Sequence, residues 1–357
     1  MNGMNGMFPM QLRVAALSTH IQLANWEKGM KMWSIMAILM LAVMSNAAAS
    51  PAKLPFGLFD AHAHFYTDNF SAYPLHPERA YMGAQKLTEI VLARPNTPEY
   101  VLKLWDENGI ESGTAVQYYA AYQFDNRYVF SVARDYPHRI VPVVMLDAND
   151  PATPNRLRKF VKHSSVVGLR LSVTLGTDGT YPSLDSPRAH AVWAAADSLQ
   201  LPIIVFPLVH GADSHDAARN AMRRVLKLAR RYPNVRVVLD HCGWPSLSAA
   251  PDYGITGVYR QLAAQKNIYL KVTTVNFNAL HTHGISASAF MRHAVDTFGA
   301  DRIMWGSDLG NTSLPYPKMV DEAIAATASL SETERKQVLR DTGHAVFGGR
   351  LKGSSNN

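Results

Sequence analysis

Two histidines two residues apart close the stretch Phe-Asp-Ala-His-Ala-His-Phe at positions 59–65. An apolar lead-in at 54–58 makes the run strand-like. In a strand, residues i and i+2 point to the same side, so His62 and His64 would project together from one strand end. Neutral imidazole nitrogen is a good ligand for a zinc-like cation, and a strand end holds such a pair rigidly. His-x-His pairs also arise by chance, so the pair has to be weighed with its partners. Further along, apolar runs repeatedly end in, or carry, chemistry-bearing residues: Asp147, Arg170, His210, His241, Lys271 and Asp308. Three histidines and a carboxylate on one rim have the composition of a metal-assisted hydrolase site.

Several of these residues also have a plain structural reading. Asp60 is expected on the face of His62 and His64, one layer deeper, in a structural hydrogen bond. Asp147 lies in Asp-Ala-Asn-Asp-Pro, which is turn chemistry. Arg170, inside a buried strand, needs an anion, either a structural carboxylate or the substrate. Lys271 must pair or shift its pKa. His215 reads as a helix-start or surface residue. His281 and His283 form a second His-x-His, but in an expected loop, which would not hold two ligands in register; contact with substrate at the rim remains open to them.

The elements that must position these residues alternate. Strand-like runs follow the His pair at 113–118, 140–146, 166–173, 202–209, 235–239, 268–274 and 302–306. Helical patterns separate them, the clearest at 217–232 and 287–298. Eight strands alternating with helices predict an α/β protein with a parallel sheet, a (β/α)8 TIM barrel. That fold collects catalytic groups at the C-terminal ends of its strands, where these residues lie. A doubly wound open sheet is the alternative, but the first strand is not followed by a glycine-rich phosphate loop.

Length and composition agree with one large domain: 357 residues, 47% apolar and 18% charged. The net charge of +7 is scattered without a Lys/Arg run, which argues against nucleic acid as a partner. Cys242 is the single cysteine, so an intrachain disulfide is excluded. Positions 30–50 carry a short basic start, twelve residues without a charge and the small-residue stretch Ser-Asn-Ala-Ala-Ala-Ser. This matches a secretory signal peptide cleaved near Ala49, with Met30 or Met32 as the start and the upstream stretch a mis-called extension. An uncleaved anchor is the alternative. The expected organisation is a leader over 1–49, a barrel over 50–352 and a disordered tail over 353–357. The mature protein would be secreted, to a periplasm, without a stable membrane anchor, with a small molecule as its partner and oligomerisation left open.

The chain resembles the amidohydrolase superfamily, in the amidohydrolase-related branch that includes sugar lactonases and 2-pyrone-4,6-dicarboxylate lactonase. The resemblance rests on Phe-Asp-Ala-His-Ala-His at 59–64, Val-Gly-Leu-Arg-Leu at 167–171 and Tyr-Pro-Asn-Val-Arg-Val-Val-Leu-Asp-His at 232–241. It continues in the Lys271 strand, Arg-Ile-Met-Trp-Gly-Ser-Asp at 302–308 and Ser-Leu-Pro-Tyr at 313–316. It implies the same barrel and one divalent metal, zinc first, held by His62, His64, Asp308 and a histidine closing the fifth strand. Here that strand departs from the pattern. The nearest histidine is His210, four residues beyond Phe206, so either the strand runs on and His210 serves or that ligand is missing. Members of the branch that work without a metal keep metal-independent hydrolysis open.

The resemblance implies water attack on an ester or lactone carbonyl of a sugar- or aromatic-derived lactone. Asp308 would act as the base, His241 would bind the carbonyl oxygen, and Arg170 and Lys271 would bind a substrate carboxylate. A metal-dependent non-oxidative decarboxylase of the same superfamily is the competing reading. A catalytically silent barrel is the third.

Overall fold

Each strand returns to the same side of its predecessor only by way of a crossover helix, because parallel neighbours cannot be joined by a tight turn. The computed structural model describes residues 54–207 and 214–353. Its strands are β1 (Leu58–His64), β2 (Ile110–Val116), β3 (Ile140–Met145), β4 (Gly168–Val173), β5 (Ile203–Pro207), β6 (Val237–Leu239), β7 (Ile268–Thr273) and β8 (Ile303–Gly306). They lie in sequence order, and every neighbouring pair is parallel. The ends meet just beyond β8: Asp308 N donates to His62 O at 2.8 Å, and His64 N donates to Leu309 O at 2.9 Å. This is the (β/α)8 barrel that the alternation predicts. The expected leader over 1–49, and all of the expected tail except Gly353, lie outside the described residues.

Local signals start the outer helices. Thr97 accepts from Tyr100 N ahead of Pro98–Glu107, and Ser186 accepts from Ala189 N ahead of Pro187–Leu199. Two apolar clusters result. One lies between strands and helices and includes Leu169, Leu171, Val205, Leu239 and Leu270. The other fills the barrel interior with Phe59, Ala61, Val141, Val143, Ile204, Val238 and Met304, with Phe347 packed among them. Strand residues of the two clusters alternate, as the two faces of a pleated sheet require.

β1 breaks that alternation where the site needs it. Its register with β2 advances from Asp60↔Gly113 to Ala63↔Ala115, three residues against two. The extra residue is a β-bulge, which re-aims the side chains that follow. Before it, Phe59 and Ala61 belong to the interior cluster; after it, Ala63 belongs to the outer one and His62 and His64 turn inward together. Asp60 therefore does not share their face, contrary to the expectation from simple alternation. Its carboxylate accepts from Ser307 N at 2.9 Å, Ser307 Oγ at 2.6 Å and the Tyr316 hydroxyl at 2.9 Å, tying β1 to the segment after β8. The structural role expected of Asp60 stands, on the opposite side.

Two further differences lie in connections. The helix Ala84–Ala93 is not among the sequence expectations. The segment after β7, expected to be a loop, is the helix Thr274–Thr282, started by a capping box between Thr273 and Asn276. His281 thus sits on a helix, its Nδ1 3.8 Å from Glu322 Oε1. Asp147 is exposed and caps its own turn, accepting from Asn149 N at 2.8 Å. His215 is in the first turn of Ser214–Arg231.

Candidate active site

The inward turn of β1 brings His62 Nε2 within 3.2 Å of His64 Nε2. Both face one oxygen of Asp308: Oδ1 is 3.4 Å from His62 Nε2 and 3.6 Å from His64 Nε2. All three residues are buried. The other carboxylate oxygen is occupied, since Oδ2 accepts from Asn311 Nδ2 and Thr312 Oγ1, each at 3.0 Å. Oδ1 has no hydrogen-bond partner among the described residues. Asp308 itself has a left-handed backbone, φ +59°, which is uncommon for a residue with a side chain. The chain turns sharply there to aim the carboxylate at the histidines.

These three atoms fit a divalent cation. Donors about 2.0–2.1 Å from a tetrahedral ion stand roughly 3.3–3.4 Å from one another, close to the three separations observed. What lies behind the histidines agrees. His64 Nδ1 is 2.9 Å from Val116 O, an acceptor, so Nδ1 carries the proton and Nε2 presents its lone pair. His62 Nδ1 faces Asp240 Oδ1 at 3.6 Å. Burial lowers the pKa of His62 well below its ordinary value, which keeps the imidazole neutral. Burial alone would raise that of Asp308. The surrounding imidazoles of His64, His241 and His62 outweigh it and hold the carboxyl below the usual carboxylate range.

His241 follows β6 through a run of left-handed residues: φ is +52° at His241, +59° at Cys242, +71° at Gly243 and +61° at Trp244. The turn carries its ring to 5.4 Å from that of His62, centroid to centroid. Its Nδ1 is 2.7 Å from Thr273 Oγ1, and its backbone carbonyl accepts from Asn276 Nδ2 at 3.0 Å. Burial lowers the His241 pKa as well.

Asp240 is the residue that the sequence expectations missed. Arg170 Nε donates to its Oδ2 at 2.7 Å, and Lys271 Nζ is 3.0 Å from its Oδ1. The three side chains are buried together. Burial alone would raise the Asp240 pKa, but the charges of Lys271 and Arg170 outweigh it and hold the carboxyl well below its ordinary value. The signal was available: two cations inside buried strands require an internal anion, and Asp240 directly follows β6, which lies between β4 and β7 in the strand order.

A cavity of about 210 Å³ opens beside these groups. Its polar wall has His64, Arg170 and His241, and its aromatic wall includes Tyr81, Tyr118 and Trp244. The Arg170 guanidinium lies over the Phe206 ring, 4.1 Å from its centroid. Tyr118 packs on His64, ring centroids 4.8 Å apart. Of the two cations expected at a substrate, Arg170 lines the cavity while also serving Asp240. Lys271 is fully buried against Asp240, and the cavity wall includes no part of it. His62, His64, Asp308 and His241 come together as a group. His210 lies outside the described residues.

Comparison with known proteins follows the same lines. The family model described as amidohydrolase matches residues 59–349. The L-fucono-1,5-lactonase of Burkholderia ambifaria is 24% identical over 256 residues, which is 70% of this chain and 79% of that protein. A protein assigned as a 2-pyrone-4,6-dicarboxylic acid hydrolase from Pseudomonas putida superposes with a TM-score of 0.59 at 19% identity, over 83% of this chain and 98% of that one. A dihydroxybenzoic acid decarboxylase from a Polaromonas species, solved with manganese and 2-nitroresorcinol, superposes with a TM-score of 0.58 at 17% identity, over 82% and 97%. At these identities the two solved structures are similar in fold.

Proposed function

Because the chain belongs to the amidohydrolase family, we propose that it is a hydrolase that opens a small lactone by adding water to the ring carbonyl. The observation that carries this reading is the triangle of His62 Nε2, His64 Nε2 and Asp308 Oδ1, with one carboxylate oxygen free of hydrogen bonds, next to the cavity. The similarity to a lactonase gives the reaction class its support.

In this reading Asp308, ionised, takes a proton from the attacking water at Oδ1. It returns the proton to the ring oxygen as that oxygen leaves. Asn311 and Thr312 hold Oδ2, so the proton stays on the side facing the substrate. His241 donates from Nε2 to the carbonyl oxygen as negative charge builds there, with Thr273 fixing the ring through Nδ1. Arg170, one nitrogen of which is committed to Asp240, turns the rest of its guanidinium toward a substrate carboxylate. A divalent cation such as zinc or manganese, held by His62, His64 and Asp308, would act as a Lewis acid on the carbonyl and lower the pKa of water. The enzyme would work outside the cytoplasm if residues 1–49 are a cleaved leader; a mature N-terminus just after Ala49 on sequencing the secreted protein is the expected result.

A second reading is non-oxidative decarboxylation of an aromatic acid. It is favoured by Arg170 over Phe206 in an aromatic-walled cavity, and by a decarboxylase among the structural neighbours with a nearly equal TM-score. One experiment separates the two. The purified protein is analysed for bound metal, then assayed against lactones and aromatic carboxylic acids with and without chelator. Ring opening without gas release is the expected result, and carbon dioxide release with intact lactones would replace the first reading by the second. Full lactonase activity in a metal-free preparation would remove the cation from the proposal and leave Asp308 and His241 as its centre.

A further inference from the structure

Asp308 owes its orientation to two donors on Oδ2, Asn311 Nδ2 and Thr312 Oγ1. Both belong to the turn that follows it. One of them is tied in turn to a distant part of the chain. Tyr81, in the segment between β1 and the helix Ala84–Ala93, places its hydroxyl 2.5 Å from Asn311 Oδ1, across 230 positions of sequence. Tyr81 and Asn311 both line the cavity, and Tyr81 is 59% exposed. A hydrogen-bonded path thus runs from the cavity mouth through a single side-chain amide to the buried carboxylate.

The chemistry of the amide makes this path directional. A carboxylate only accepts, so Asn311 must turn its NH₂ toward Asp308. Its carbonyl oxygen then points away and needs a donor, which the Tyr81 hydroxyl supplies. In the flipped amide two acceptors would meet at Asp308 Oδ2, and Tyr81 would lose its acceptor. The carboxylate therefore sets the amide orientation, and the Tyr81 hydroxyl, donating to Asn311 Oδ1, anchors the amide in it.

We infer that Tyr81 is a positioning residue for Asp308, acting through the side-chain amide of Asn311. The inference rests on the reading above only in taking Asp308 as the reacting carboxylate. Tyr81→Phe keeps the ring at the cavity wall and removes the donor. Its expected effect is a fall of about tenfold in kcat with KM within about twofold, because the lost bond supports a reacting group and not the substrate. A role in lining the cavity alone would move KM and leave kcat. In the Asn311→Ala background, Tyr81→Phe should have no further effect on kcat, since the path is already cut. Additive losses in the double variant would overturn the inference.

A second measurement does not depend on which reaction the enzyme performs. In a crystal structure of the Tyr81→Phe variant, the Asn311 amide is expected to have rotated off Asp308 Oδ2. An Asn311–Asp308 contact unchanged at 3.0 Å would overturn the inference, even in a protein that opens no lactone. Failure on the whole lactone panel with the amide displaced would instead fault the reaction assigned and leave Tyr81 in its role.

Discussion

Asp240 and Asp308 are both fully buried and both face His62, one at each ring nitrogen: Nδ1 is 3.6 Å from Asp240 Oδ1, and Nε2 is 3.4 Å from Asp308 Oδ1. Their surroundings differ in kind. Asp240 meets two full positive charges, Arg170 and Lys271. Asp308 meets imidazoles, a hydroxyl and an amide, none of which cancels its charge outright. A buried carboxylate matched by cations is held in place and chemically quiet. A buried carboxylate met only by imidazoles, a hydroxyl and an amide is available to a proton or a cation. The comparison teaches that depth of burial does not separate a structural acid from a reactive one; the identity of its partners does.

Removing the charge at each site is the strongest way to break this comparison. Asp308→Asn is expected to lower turnover on the order of a thousandfold, the scale of a lost general base. Thermal unfolding should move little, and steady-state kinetics beside a melting curve would show the split. Retained turnover would end the catalytic role given to Asp308. Asp240→Asn is expected to act the other way round, on stability first. It leaves two cations buried without their anion and should cost about 3 kcal/mol in urea unfolding. A small stability loss combined with a large activity loss would mean that the two acids have been assigned in reverse.

Acid titration sharpens the same contrast. The Asp240 pKa is depressed in the folded protein, so its contribution is complete above the unfolded value of about 4 and is lost as pH falls through the lower folded value. Urea unfolding should show stability declining on the acid side of roughly pH 4, and the decline should be shallower in Asp240→Asn. Identical acid limbs would contradict the ion-pair account.

Smaller effects test the supports. A Cβ at Gly306 would lie 2.5 Å from His62 Cβ, so Gly306→Ala must push β1 and β8 apart. A cost of about 1–3 kcal/mol is expected, with activity falling further than stability explains. Unchanged kinetics would show that the His62 position has slack. Thr273→Val removes the hydroxyl 2.7 Å from His241 Nδ1 and should lower turnover by only about threefold, the worth of one neutral hydrogen bond.

Much of this was legible in the amino-acid sequence. The barrel follows from alternating strand and helix patterns, and β3, β4 and β7 lie within two residues of their expected bounds. His62, His64, His241 and Asp308 were legible because each stands at or just past the end of an apolar run. The side that Asp60 faces was not, because a bulge is a property of two strands in register and not of one. The helix Thr274–Thr282 read as a loop because its residues, with threonine and asparagine prominent, look like turn chemistry until Asn276 is seen to close a capping box. Tyr81 gave no signal at all, since its partner is 230 positions away.

By itself, then, the amino-acid sequence determined the order of elements, the rim on which polar residues gather and the histidine pair. These depend on periodicity and on contacts between near neighbours. Only the tertiary structure decided which buried acid is neutralised by cations and which is not. Arg170 lies 70 positions from Asp240, and closure of the barrel alone brings it within 2.7 Å. Charges act through space, so a carboxylate's chemistry is set by whichever groups the fold brings beside it.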